Sequence, residues 1–322
     1  MSPDTTLVVV WLVFAHLVAD FVLQNDWIAI NKGNGTREGH RALLTHGVHV
    51  SLCLVPAVFA FGLPGLAYLV LVAVSHMLVD RWKVQATKRA ELAAQASALA
   101  RKETTGELPP SGLGGAWTPW PGMLFLADQL LHMTFAIVGW LVILEAVPLT
   151  GPWTDCVNLV LRSFDRATVH AVVLTSLVLI SLFLVNTRGA YYFAMALVSP
   201  RELKPEPTPE AARPAPATPA PATPAPVTPV LAPAPARNAI PIGAPFRLEA
   251  TIAAMERLLI VAFILMGFMV GVGVVVALRV ASRWRELDDR GYVEYFLLAT
   301  LASISVAVAS AVLAQAALRS LG

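Results

Sequence analysis

Apolar runs near residues 5-24, 42-61, 65-83, 122-147, 168-187, 251-279 and 293-318 recur along the chain, most of them close to the roughly 20 residues a helix needs to cross a bilayer. Few folds are open to such runs. In lipid every backbone amide and carbonyl must be satisfied within the structure, and runs of this length without short alternating strands satisfy them as helices. The fold class expected is therefore all-α, a polytopic transmembrane helix bundle of six or seven spans. Composition agrees, with 57% hydrophobic and only 14% charged residues in 322. The first run is expected to be retained, because Met1 to Thr6 carries no basic residue and no small-residue cleavage pattern follows. Cys53 and Cys156 are the only cysteines, which gives neither a disulfide framework nor a cysteine zinc site.

Between the runs, Val84 to Arg101 is Ala-rich and charged, and reads as a helix outside or along the bilayer; a turn-rich loop from Leu108 follows it. From about Pro205 to Pro245 the chain is a Pro/Ala/Thr tract that cannot form a packed core, so it reads as an extended, disordered linker. Three parts result: a five-span body (1-190) holding all seven histidines, the linker (200-247) and a two-span C-terminal module (248-322). Lys32, Arg37 and Arg41 follow span one, and Arg81, Lys83, Lys88 and Arg89 follow span three, which places those loops in the cytoplasm. Seven straight spans would then put Arg279, Arg283, Arg285 and Arg290 outside, against the same rule. Either one run is re-entrant or interfacial, or the C-terminal module breaks the rule.

Acids and histidines four residues apart interrupt these runs: His16/Asp20, His76/Asp80 and, reversed, Asp128/His132. That spacing puts both side chains on one helix face. An ionisable group inside a span costs roughly 2.5–3.5 kcal/mol on insertion scales, so six of them require partners or a function. Direction of travel adds depth to the argument. Spans one and three reach the basic side with His16, Asp20, Gln24, His76 and Asp80 in their last turns; spans two and four leave it with His46, His49, Asp128 and His132 in their first. At 1.5 Å per residue all lie within about 15 Å of one membrane face, which predicts a shared polar cavity.

Imidazole nitrogens and carboxylate oxygens suit Zn, Mn or Fe as divalent ions, and catalytic sites combine several His with one or two acids and an open position for water. His16, His46, His76 and Asp80 are the leading metal ligands, with Asp20, His49, Asp128 and His132 completing or orienting the set and Gln24, Gln129 and Lys83 in the surrounding shell. His40 and His170 read as interfacial or packing residues, and Lys83 and Arg81 as side chains reaching to the headgroups.

His16-x3-Asp20-Phe21-x2-Gln24-x-Asp26-Trp27, Leu44-Thr-His46-x2-His49, Ser75-His76-x3-Asp80-x2-Lys83 and Asp128-Gln129-x2-His132 together resemble a bacterial membrane family catalogued as domain of unknown function 3307, over residues 8-145. Glu256-Arg-Leu-Leu-Ile, Arg285-Glu-Leu-Asp-Asp-Arg290 and the run from Glu294 look like a tail module of its longer members. A metal-bound water with its pKa lowered toward about 7 would be a nucleophile for ester or phosphoester cleavage at a membrane surface, and a weaker likeness, to predicted membrane-bound metal-dependent hydrolases, supports the metal reading by analogy. The alternatives are a proton-coupled transporter using the cluster as a relay, and a scaffold in which it fixes helix packing. The lipid bilayer is the expected partner, with a homo-oligomer left open. No phosphate-binding loop, dinucleotide fingerprint, nucleophile elbow or His-Glu-x-x-His sequence is present, and nothing supports nucleic-acid binding.

Overall fold

The structure, a computed structural model, describes residues 4–33, 35–106, 113–199 and 244–321. Helix α1 (Thr5–Val18) begins where Asp4 accepts a hydrogen bond from the Leu7 amide at 3.0 Å, and it ends in a π-helical turn, Ala19–Leu23. The short α2 (Asp26–Asn31) is capped by Asn25 and precedes α3 (Arg37–Phe61), which Gly62 alone separates from α4 (Leu63–Thr105). Next come α5 (Trp120–Ile143), α6 (Gly151–Leu161) and α7 (Arg166–Leu184), the last passing through a second π-helical turn, Val185–Gly189, into α8 (Ala190–Val198). Helices α9 (Ala244–Leu265), α10 (Met269–Ser282) and α11 (Arg290–Leu318) complete the bundle. No strand occurs among the described residues.

Among the described residues, six helical stretches are long and apolar enough to span a membrane: Thr5–Leu23, Arg37–Phe61, Leu63–Thr105, Trp120–Ile143, Arg166–Val198 and Arg290–Leu321. Their polarity is arranged for lipid. Leu52, Phe59, Leu130 and Val142 face outward, whereas Asp20, His46, His76, Asp80, Asp128 and His132 are buried between helices. Leu12, Ala15, Val50, Leu54, Tyr68, Val72 and Trp140 form the apolar core beside them, and the Tyr68 hydroxyl donates to the Ala136 carbonyl at 2.9 Å. Close approach of α3 and α4 depends on Gly65, because a Cβ there would lie 2.1 Å from the Ala57 carbonyl oxygen. The charged stretch Val84 to Arg101 is a direct continuation of the third span, in a helix of 43 residues and about 65 Å. The Pro/Ala/Thr tract and most of the turn-rich loop after Leu108 lie outside the described residues.

The run at 251-279 is not one straight helix. Helix α9 stops at Leu265, Gly267 takes φ +74°, a backbone region that only glycine enters without strain, and α10 runs back alongside α9. Ion pairs Arg279–Glu256 and Arg283–Glu249 (3.0 Å) join the two arms, and Phe263 meets Phe268 at the bend with ring centroids 5.5 Å apart. Both ends of this hairpin therefore emerge on the same side. With a hairpin here in place of a single crossing, Arg279, Arg283, Arg285 and Arg290 return to the face that carries the other basic loops, which removes the conflict with the positive-inside rule. In a variant lacking Cys53 and Cys156, single cysteines at Glu249 and Arg285 should react with a membrane-impermeant thiol reagent from the same side. Labelling from opposite sides would rule the hairpin out.

Candidate functional site

Helix α1 supplies His16, α3 supplies His46, α4 supplies His76 and Asp80, and α5 supplies Asp128 and His132. Asp20 lies in the π-helical turn at the end of α1, a local widening that occurs often at functional sites. His46 is fully buried, and Asp80, Asp128, His76 and His132 are nearly so.

Four atoms converge most closely. The Nε2 atoms of His46 and His76 are 3.0 Å apart; Asp20 Oδ1 is 3.4 Å from the first and 3.2 Å from the second; Asp80 Oδ2 is 3.3 and 3.8 Å from them. A tetrahedral zinc site with bonds of 2.0–2.1 Å needs ligand atoms about 3.3–3.4 Å from one another, close to the spacing of Asp20 Oδ1 from both imidazole nitrogens and of Asp80 Oδ2 from His46. The two carboxylate atoms concerned, Asp20 Oδ1 and Asp80 Oδ2, are buried and have no hydrogen-bond partner among the described residues. Buried acceptors are ordinarily satisfied, and a shared cation would satisfy both.

Around this set the histidines continue in a chain. His76 stacks on His132 with ring centroids 3.8 Å apart, and His16 lies 5.2 Å from His132. Two further groupings have mutually close ligand atoms, one of His16, Asp20, His76 and His132, the other of Asp80, Asp128 and His132. The Nε2 of His132 lies 3.3 Å from the His76 carbonyl; donation there leaves Nδ1 as an unprotonated acceptor. A small cavity bounded by His16, His76, His132 and the apolar Leu12, Ala15, Val50, Val72 and Ala136 has room for about one water.

The expected outer residues also take part. Gln129 bridges His16 at 3.1 Å and Asp128 at 3.2 Å, and Lys83 lies 3.3 Å from Asp128 and over the Phe125 ring. Gln24 accepts a hydrogen bond from Lys32 at 2.7 Å. Lys32 itself was read from the sequence only as a loop charge, yet its Nζ donates to the outer oxygen of Asp80, Oδ1, at 2.7 Å. Burial disfavours its ammonium, but Asp80 and Asp20 outweigh that and hold its pKa above the ordinary lysine value. Three carboxylates, Asp20, Asp80 and Asp128, thus face two ammonium groups, Lys32 and Lys83, among the imidazoles of the cluster.

His49 stands apart from the other expected ligands. It is half-buried, its Nδ1 has no hydrogen-bond partner among the described residues, and it belongs to none of the close groupings. Three residues beyond His46, His49 lies about 4.5 Å further along α3, deeper than the convergence point. His40 Nδ1 meets the Thr36 carbonyl at 2.8 Å and His170 lies 3.1 Å from Asp4, in keeping with roles away from the cluster.

Residues 8–161 match the family described as "Protein of unknown function (DUF3307)". No curated protein and no solved structure matches the chain. The family match includes every His and Asp of the cluster and stops before α7, so it does not extend to the C-terminal helices. The helical segment that builds this buried His/Asp site, residues 8–161, is thus a domain of the DUF3307 family.

Proposed function

We propose that the chain is a metal-dependent hydrolase of a membrane-associated substrate, with one divalent transition metal (Zn, Mn or Fe) held by His46, His76, Asp20 and Asp80. The observation that carries this reading is the convergence of the His46 and His76 Nε2 atoms, 3.0 Å apart, with Asp20 Oδ1 and Asp80 Oδ2, each within 3.4 Å of His46 Nε2. Bound there, such an ion would lower the pKa of a coordinated water toward about 7. The chain's own residues supply the rest. The water-sized cavity beside His76 is where a nucleophile can lie, and His132, with Nδ1 free to accept, is the group we assign to take its proton. Gln129 orients His16, while Lys32, itself held by Gln24, fixes the outer oxygen of Asp80. Ester or phosphoester bonds of an amphiphile would be cleaved near the cytoplasmic face of a bacterial inner membrane. In this reading residues 1-190 form the catalytic body, joined through the Pro/Ala-rich linker to the module at 248-322.

The test is turnover of amphiphilic p-nitrophenyl esters and phosphodiesters in mixed micelles by protein loaded separately with each metal. Chelator-sensitive hydrolysis that is lost in His132→Ala, with metal retained, is expected. Retained metal without turnover on either substrate class would contradict the hydrolase. A second reading, proton-coupled transport, is favoured by the continuous imidazole chain His46–His76–His132–His16, and it predicts metal-free protein with pH-dependent flux in liposomes.

A further inference from the structure

A second buried polar cluster lies outside the family domain, where the α9–α10 hairpin meets α7 and α11. Arg257 is almost fully buried, and its Nε donates to the Asn186 carbonyl at 2.6 Å, in the π-helical turn Val185–Gly189, while Nη1 donates to Ser303 Oγ at 3.0 Å. Both partners are neutral. The nearby carboxylate, Glu256, is engaged by Arg279, whose Nε also donates to Thr300 Oγ1 at 3.0 Å. Two guanidinium groups therefore share one carboxylate inside a membrane bundle, and a buried arginine without an anionic partner is costly there.

Glu256, Arg257, Arg279, Thr300 and Ser303 line one cavity with apolar walls from Ile260 and Val275. The cavity has room for about one water-sized atom and is not closed, so it admits a single anionic oxygen and leaves the remainder of a ligand at its mouth. The Arg257 Nη2 makes no hydrogen bond among the described residues and is available to such an oxygen. Arg279 is three residues from the end of α10, hence about 5 Å along the axis from the face that carries Arg283, Arg285 and Arg290 and within reach of lipid headgroups, while Arg257, eight residues past Glu249, lies about 12 Å in from that face.

We propose that Arg257, Arg279, Thr300 and Ser303 form a binding site for the phosphate of an anionic lipid headgroup. The anionic oxygen enters between the two guanidinium groups and supplies the negative charge the cluster lacks. Guanidinium fits this task through its planar fork of donors, which an ammonium does not reproduce. The site is independent of the metal reading and would stand if that reading failed.

The test uses full-length protein in detergent, with thermal unfolding and native mass spectrometry in the presence of phosphatidic acid, phosphatidylcholine or inorganic phosphate. Phosphatidic acid should stabilise the wild type and stay bound where phosphatidylcholine does not. In Ser303→Asp the new carboxylate occupies the position of the anion, so binding should weaken by at least about tenfold, the scale of one charged hydrogen bond, while thermal stability without lipid is kept or raised. If Ser303→Asp does not fold, Arg257→Lys keeps the charge, loses the fork and should weaken phosphatidic acid by about tenfold. Equal retention of phosphatidylcholine, or phosphatidic acid binding unchanged by whichever variant folds, would overturn the proposal. Stabilisation by inorganic phosphate equal to that by phosphatidic acid would overturn the lipid as the source and assign the site to a soluble anion.

Discussion

On the proposed metal reading, His46→Ala should lower affinity for a divalent ion by more than about 100-fold, the upper end of what losing an outer-sphere partner costs a metal site. The Nε2 of His46 is within 3.4 Å of His76, Asp20 and Asp80 at once. Removing it takes one donor from the convergence point and leaves the two carboxylates closer to uncompensated. By contrast, His49→Ala, one turn deeper on the same helix, should leave metal affinity unchanged within about twofold, since surface-like substitutions away from a site act weakly. Equilibrium titration against a competing chelator measures both. Similar losses in the two variants would mean that the metal does not use the convergence point.

Gly65→Ala should be the most destabilising single-methyl change in the N-terminal half, by about 3 kcal/mol, at the upper end for overpacking. The clash is with backbone: a Cβ would stand 2.1 Å from the Ala57 oxygen and 2.7 Å from the carbonyl carbon, which no side-chain rotation relieves. At Gly47, where the added Cβ meets the flexible end of Met77, the same substitution should cost clearly less. Because α3 and α4 carry His46, His76 and Asp80, Gly65→Ala should also loosen metal binding without touching a ligand. Unfolding of both variants in a calibrated detergent–denaturant series separates them, and equal stability would contradict the packing account of this hairpin.

The candidate site was legible in the sequence to an unusual depth for particular reasons. Acid–histidine pairs four apart fix a common face on α1, α4 and α5, and alternating chain direction fixes a common depth, so convergence followed without knowledge of packing. The local geometry was not legible. Asp20 lies in a π-helical turn, 3.4 Å from His46 and 3.2 Å from His76, and nothing in the residue pattern announces that turn. Lys32 was hidden because its reach depends on α2, a six-residue helix capped by Asn25, folding the loop back over Asp80. The hairpin at Gly267 did leave a trace. Glu256 and Arg279, and Glu249 and Arg283, are spaced almost evenly about it, as charges must be when two antiparallel arms pair across a bend.

The central claim, a metal held by His46, His76, Asp20 and Asp80, is tested most directly by elemental analysis of detergent-purified protein beside a His76→Ala/Asp80→Ala variant of confirmed helicity. The account predicts about one equivalent of zinc, manganese or iron in the wild type, or about two if the Asp80/Asp128/His132 grouping also fills, and less than about a tenth of that in the variant. Wild-type protein that remains metal-free after loading with all three ions would contradict it.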